Sequence, residues 1–275
     1  MKMLSKTVFM VRHGERKDHA DKDWQPDPFD GIWDPPLSEK GWHQAQKTGS
    51  YLIDLLREKD IKLENSTVIF ITSPFQRCID TTLGVARGLQ HPKQSFLRLE
   101  PAAGEWMTER FFEELNCTAH QMTQRKIQDI ARNHMEVSKI LSMDWQYSPV
   151  RKEFVYPESM SDMQDRYDDL RRSLDAMIAR DIKANRIGMM QQDMKTRDIV
   201  IVVVTHAAGI NALLESYKQE STLLETPYCC VSRVRFKPSI ANDSDSGEEE
   251  DSTMDGKWVV DMEVSTKHLK GTSLA

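Results

Sequence analysis

The stretch Ile199–Thr205, IVIVVVT, is apolar at every residue but its last and stops at His206-Ala207-Ala208-Gly209. A β-branched run that is apolar on both faces suits the middle of a sheet covered on both sides, the environment of a parallel α/β sheet. Two other segments repeat the construction. Thr7–Val11 (TVFMV) ends in Arg12-His13-Gly14, and Val68–Thr72 (VIFIT) ends in Ser73-Pro74-Phe75-Gln76-Arg77-Cys78. A helix-periodic stretch follows each one: Ser38–Arg57 beyond an intervening loop, Cys78–Leu89, and Ile210–Lys218. Strands alternating with helices predict an α/β fold with helices on both faces of the sheet.

Working outward, the chain changes character between Met107 and Arg186. Met122–Leu141 and Ser161–Ile182 are charged, Met-rich and helix-periodic, with Tyr167, Leu170, Leu174, Met177 and Ile178 on one stripe. They read as a helical insertion, about 107–186, within a single domain spanning 1–275. Val231–Phe236 and Trp258–Val264 alternate and predict an antiparallel edge hairpin. Between them the run 239–255, rich in Asp and Glu, predicts a disordered, solvated loop.

The chain has 275 residues, with 37 basic and 43 acidic side chains and a net charge of −6, which gives no global footprint for nucleic acid. No apolar run approaches the ~20 residues of a membrane span. The first apolar stretch breaks at Arg12, too soon for a signal peptide. Cys78, Cys117, Cys229 and Cys230 form no CxxC pair, so reduced thiols in the cytoplasm or nucleus are expected.

In an open α/β sheet, ligands bind at the carboxyl ends of the strands. Here three strands deliver Arg12 and His13, Arg77, and His206 to that edge, and two arginines with two histidines suit a phosphoryl group. GxxxxGK[ST], GxGxxG, HExxH and GxSxG are all missing from the sequence, and the other histidines (19, 43, 91, 120, 134, 268) are scattered. The expectation is therefore no cofactor and no metal, with a nucleophile supplied by the protein. A neutral His13 imidazole can attack phosphorus while Arg12, Arg77 and His206 neutralise the phosphoryl oxygens. Glu105, beside Trp106, is the expected proton donor, its pKa raised by the indole; Glu109, Glu113 and Glu114 compete for the role. Arg16, four residues after Arg12, is expected to add a further cation for substrate binding, or else to pair with Asp18.

These residues resemble those of a known family. VRHGE at 11–15, SPFQRC at 73–78, GEW at 104–106 and VTHAAG at 204–209 are similar to the motifs of the histidine phosphatase superfamily, in the branch that contains phosphoglycerate mutase. The resemblance implies a three-layer α/β/α sandwich, His13 as the phospho-accepting histidine, Arg12, Arg77 and His206 as the phosphate pocket, and Glu105 as proton donor. Arg16 matches the RHGER form of the first motif found in Sts-type phosphatases. PDPFDGIWDPPLSEKG at 26–41 and KWVVDM at 257–262 are similar to phosphatase domains of the tau-subunit type in RNA polymerase III transcription factor C. That likeness implies a fungal source and a protein partner in a transcription complex. The insertion after Trp106 is longer here.

The expected activity is that of a metal-independent phosphomonoester phosphatase of the histidine acid type, acting on a phosphoprotein or small phosphate ester with neither nucleic acid nor membrane as partner. A mutase of the same fold would need a strongly basic pocket for a second charged group, and the loop after His13 is acidic. A third reading is a weakly catalytic or non-catalytic assembly module. Trp24, Trp33 and the acids at 18, 21, 23, 27, 30 and 34 form either a substrate-facing wall or a solvated loop anchored by its tryptophans. The insertion methionines are read as cap filling, Cys78 as packing, and Ser244 and Ser246 as acidophilic kinase sites.

Overall fold

The computed structural model describes residues 5–26, 33–90, 95–110, 112, 118–133, 137–153, 155–183, 198–221, 223–238 and 256–270. The acidic run 239–255 with Ser244 and Ser246, together with Asp27, Asp30, Glu113, Glu114, Cys117 and Met135, lies outside them.

Seven strands form one sheet: β1 (Lys6–Arg12), β2 (Ser66–Thr72), β3 (Ser95–Leu99), β4 (Ser142–Met143), β5 (Asp198–Thr205), β6 (Val231–Pro238) and β7 (Gly256–Ser265). Their order is β4-β3-β2-β5-β1-β6-β7. The first five in that order pair in parallel. The last two join antiparallel, as the alternation of their residues predicts. The helices are α1 (Lys17–Ala20), α2 (Glu39–Arg57), α3 (Gln76–Leu89), α4 (Ala119–Arg132), α5 (Met160–Lys183) and α6 (Ala207–Lys218).

All residues of β2 and β5 are buried, because both sheet faces are covered. Phe9, Val11, Val68, Phe70, Val200, Val202 and Val204 point to one face, packing on Leu52, Leu55 and Leu56 of α2 and Ile79 and Val85 of α3. Val8, Met10, Ile69, Ile71, Ile201 and Val203 point to the other, against Tyr167, Leu170, Leu174 and Met177 of α5 and Ile210 and Leu213 of α6. The result is the three-layer α/β/α sandwich.

Several elements differ from the sequence expectation. β3 (SFLRL) escapes notice because Arg98 interrupts it; that side chain is buried and its Nε donates to Asp144 at 2.9 Å. The segment read as a helical insertion also supplies β4, and its long helix α5 packs on the second sheet face beside α6. The helix expected over Met122–Leu141 ends at Arg132, with its start fixed by a capping box between Thr118 and Gln121. His268, one of the scattered histidines, is tied into the fold: it stacks on Tyr51 of α2 at 4.6 Å, and its Nε2 lies 2.9 Å from Thr48 Oγ1.

Helices α2 and α3 touch through glycines. A Cβ at Gly88 would lie 2.0 Å from Gln46 O, and one at Gly49 2.1 Å from Val85 O. Both contacts are with backbone, which cannot swing aside. Gly88→Ala is therefore expected to destabilise the fold by about 1–3 kcal/mol, read as a lowered urea midpoint with an unchanged m-value; an unaffected midpoint would mean that the helices separate freely.

Candidate active site

The carboxyl ends of β3, β2, β5 and β1, four neighbours in the sheet, each carry part of the site. Arg12 closes β1 and His13 follows it. Ser73 follows β2, with Arg77 in the first turn of α3. His206 follows β5 and is the N-cap of α6, which no side chain caps, so the positive end of that helix faces the same edge. Glu105 follows β3 after the single turn Pro101–Ala103. The turn after His13 is held from below. Gly14 N donates to Thr81 Oγ1 at 3.0 Å, and Ser38, the N-cap of α2, donates to Glu15 Oε2 at 2.8 Å. Glycine is required at 41, where a Cβ would lie 2.3 Å from Glu15 O.

His13 is buried, and its Nδ1 lies 2.8 Å from the Gly14 carbonyl oxygen. A carbonyl only accepts, so Nδ1 carries the proton and Nε2 keeps its lone pair. Burial, with Arg77, His206 and Arg12 adding positive charge, holds the imidazole well below its ordinary pKa. It is a neutral, oriented base at pH 7. The His206 ring lies edge-on to it at 5.4 Å and Tyr228 at 5.6 Å.

The two arginines are pinned without being fully satisfied. Arg12 donates to Thr226 O at 2.6 Å and stacks over Tyr228 at 4.3 Å. Arg77, only 1% exposed, donates to Trp33 O at 3.2 Å and to Glu105 Oε2 at 3.4 Å. In both, the Nε–H is buried with no partner. Unpaired buried donors on permanent cations are costly unless an anion arrives.

His206 lies between Glu105, whose Oε2 is 3.1 Å from Nδ1, and Ser73, whose Oγ is 2.9 Å from Nε2. The consistent assignment is Nδ1–H donating to the carboxylate and Ser73 O–H donating to Nε2. Burial is the largest influence on this imidazole and, with Arg77, outweighs the pull of Glu105, lowering its pKa to about 4. Glu105 behaves oppositely to the sequence expectation. Burial pushes its carboxyl up, but His206, Arg77 and His13 more than offset that and hold it well below the usual carboxylate range. Trp106 has turned away to donate its indole N–H to Glu158 O at 3.0 Å. In this arrangement Glu105 is ionised.

The remaining expectations divide. Arg16 makes a two-pronged ion pair with Asp18, at 3.0 and 2.6 Å. Glu109 is exposed. Cys78 Sγ lies 3.5 Å from His206 Nε2, but burial pushes its thiol far above the range in which a thiolate forms, in keeping with packing. Trp33 packs edge-on against Phe75 at 5.9 Å, and Asp34 is buried, not a solvated loop acid. Asp34 caps α3 by accepting from Gln76 N at 2.6 Å, and its carboxylate lies 3.9 Å from Arg77 and 3.0 Å from Lys126 of α4. Lys126 and Tyr228 carry no motif, whereas Ser73 opens SPFQRC and Asp34 lies in the 26–41 stretch, before Pro35-Pro36 and ahead of the Ser38 cap; nothing in either motif by itself names their partners.

His13, Glu105 and His206 bring three potential metal-ligand atoms within 4.8 Å of one another. The same atoms stand beside Arg77, whose Nη2 is 3.2 Å from His206 Nδ1, so the local field favours an anion over a cation.

The profile of the histidine phosphatase superfamily (branch 1) matches residues 8–241, which include every residue of this cluster. The chain belongs to that superfamily. Among curated relatives, the Saccharomyces cerevisiae transcription factor tau 55 kDa subunit is 34% identical over 105 residues, 38% of this chain and 21% of that protein. The Drosophila melanogaster ecdysteroid-phosphate phosphatase is 27% identical over 128 residues, 38% of this chain and 16% of that protein. The matches thus span about a fifth or less of the lengths of these relatives. Among solved structures, the ecdysone phosphate phosphatase of Bombix mori, in complex with tungstate, superposes with a TM-score of 0.57 at 19% identity, over 89% of this chain and 98% of that one. Phosphoglycerate mutase from Bacillus anthracis superposes with a TM-score of 0.51 at 17% identity, over 97% and 96%. Both share the fold. No described helix is long and apolar enough to cross a membrane.

Because the folded protein keeps His206 neutral while an unfolded chain takes up its proton near pH 6.5, folding stability contributed by this group falls as pH drops from 6.5 toward 4. Nitrogen-15 NMR is expected to show His206 as the neutral Nδ1–H tautomer at pH 6, titrating near pH 4; an imidazolium at pH 6 would refute the assignment.

Proposed function

We propose that the protein is a phosphomonoester phosphatase that works through a phosphohistidine on His13, without a metal. The observation that supports this best is the gathering around the buried His13 imidazole, whose Nε2 keeps its lone pair, of two arginines that each hold an unpaired Nε–H. In the first step Nε2 of His13 attacks phosphorus; a P–N bond forms as the P–O bond to the leaving group breaks. Arg12, Arg77 and His206 hold the phosphoryl oxygens. Glu105 donates the proton that the departing oxygen requires. In the second step Glu105 takes a proton from water, the water oxygen attacks phosphorus, and the P–N bond breaks to return the lone pair to His13.

An ionised Glu105 is compatible with that role. Its Oε2 rests where Arg77 and His206 donors meet, at 3.4 and 3.1 Å, a position that suits an anion. A phosphoryl group that takes over those donors draws away the Arg77 cation and the His206 N–H that keep Glu105 acidic, and sets a negative charge beside it. Both changes raise its pKa, so the substrate itself loads the acid.

Hydrolysis is favoured over mutase chemistry because the basic residues that follow His13 are already neutralised: Arg16 by Asp18, and Lys17 by Asp21 at 3.6 Å. A second reading, assembly within a transcription complex, rests on the 34% identity with the tau 55 kDa subunit, and co-purification with factors of RNA polymerase III would favour it.

Hydrolysis of p-nitrophenyl phosphate in EDTA is expected to proceed in the wild type, with an acid-labile phosphoenzyme trapped on quenching, and to fall by at least ~10³-fold in His13→Ala. Activity that persists in the variant, or that chelation abolishes, would overturn the mechanism. Binding of tungstate, a dianion that carries no proton at pH 7, is expected to take up roughly one proton per site, measured by calorimetry in buffers of different ionisation enthalpy. Glu105→Gln should abolish the uptake, and wild-type binding without uptake would refute the loading of Glu105 by the anion.

A further inference from the structure

The segment that carries Glu105 has only the single turn Pro101–Ala103 as regular structure, yet each carbonyl group from Ala102 to Glu105 is held by α5. Arg166 is 4% exposed, and all five of its N–H groups have an acceptor. Two go to the carboxylate of Glu158: Nε to Oε1 and Nη2 to Oε2, both at 2.7 Å. The other three go to the segment itself. Nη1 donates to Ala102 O at 2.8 Å and to Gly104 O at 3.1 Å, and Nη2 donates to Glu105 O at 3.1 Å. The next residue, Tyr167, is fully buried and donates its hydroxyl to Gly104 O at 2.6 Å. Thr205, the neighbour of His206, donates to Ala103 O at 2.7 Å and lies 2.7 Å from the Tyr167 hydroxyl.

Glu158 closes the frame from the other side. Its Oε2 accepts Met107 N at 3.0 Å, its own N–H donates to Met107 O at 2.7 Å, and its carbonyl accepts the Trp106 indole. Gly209 in the first turn of α6 makes room, since a Cβ there would lie 2.1 Å from the Tyr167 hydroxyl. The backbone from 102 to 107 is thus fixed to the helix that also packs on the sheet, and Thr205 ties it to the strand that delivers His206.

This much hydrogen bonding exceeds what a surface turn requires. A buried guanidinium paired with a buried carboxylate adds little net stability compared with apolar packing. What it supplies is direction: a planar fork with five fixed donors sets the backbone on either side of Glu105 within a fraction of an ångström. Proton transfer demands that tolerance, because a donor displaced by about an ångström loses most of its effect.

We propose that Arg166, oriented by Glu158 and assisted by Tyr167, is the positioning residue for Glu105. The inference rests on the reading of Glu105 as the proton donor and goes beyond it by naming what aims the carboxyl group. Neither Arg166 nor Tyr167 touches the reacting atoms; both act through the backbone of Ala102–Glu105.

The test separates positioning from stability by changing the leaving group. p-Nitrophenolate departs with little help from an acid, whereas an alkoxide needs the proton. The quantity is the ratio of kcat/KM for p-nitrophenyl phosphate to kcat/KM for a simple alkyl phosphate, in wild type, Glu105→Gln, Arg166→Lys and Tyr167→Phe. Glu105→Gln is expected to raise the ratio about 100-fold, and Arg166→Lys at least about 10-fold in the same direction, with Tyr167→Phe shifting it less. A merely structural loss lowers both substrates together and leaves the ratio unchanged. Tyr167→Phe removes one hydroxyl from an otherwise intact core, so it carries the test if Arg166→Lys fails to fold. If Glu105→Gln shifts the ratio and neither folded variant does, positioning by α5 is wrong while the role of Glu105 stands. If Glu105→Gln leaves the ratio unchanged, Glu105 is not the donor and the positioning proposal falls with it.

Discussion

Keeping the Arg77 guanidinium out of water at the end of four parallel strands is the constraint on which the rest of the site depends. A charge that is 1% exposed needs partners with fixed geometry, and every neighbour of Arg77 has been placed accordingly. Phe75 offers its ring face at 4.6 Å, the Trp33 carbonyl accepts one donor, and Asp34 and Glu105 supply charge from opposite sides. Asp34 in turn is shared with Lys126, which also donates to Gln76 Oε1 at 3.0 Å. Arg77, Lys126, Asp34 and Glu105 sum to zero charge. Arg12 then leaves a local excess of one positive charge for an anionic ligand, despite the net −6 of the chain.

The same field sets the protonation of the two histidines. Crowding them among guanidinium groups and away from water keeps both neutral at physiological pH. For His13 that is what a nucleophile needs, and the Gly14 carbonyl decides which nitrogen is free. For His206 it means that the ring donates a hydrogen bond in place of carrying a charge. Glu105 is the group that absorbs the cost: it stays ionised against burial because the cations are close. In the proposed mechanism, loading of Glu105 by the bound anion links proton donation to occupancy of the pocket.

Scaffolding for this arrangement comes from both helical layers. On one side, glycines let α2 and α3 approach closely enough for Thr81 and Ser38 to hold the turn after His13. On the other, α5 serves two purposes with adjacent residues, Tyr167 and Leu170 facing the sheet core while Arg166 reaches the Glu105 segment. Core packing and support of the Glu105 segment are therefore carried by adjacent residues of one helix.

The sequence alone determined the parallel core and the cluster on it, since Thr7–Val11, Val68–Thr72 and Ile199–Thr205 are apolar on both faces and each ends in a residue of the site. Adjacent residues and strand ends are local features, and local patterns are legible. It also determined the edge hairpin, whose alternation is equally local. Only the tertiary structure decided that Arg166 and Glu158 frame Glu105 across more than fifty residues of chain, that Asp34 serves Arg77 and Lys126, and that Arg16 closes on Asp18. Arg166 did stand four residues before Leu170, at the edge of the apolar stripe that begins at Tyr167, but its partners lay elsewhere. The sign of the Glu105 shift belongs to the same class. A neighbouring indole in sequence suggested desolvation, whereas the folded chain turned that indole away and brought Arg77 and His206 within 3.4 Å. Electrostatic energy depends on distance in space, which spacing along the chain does not give.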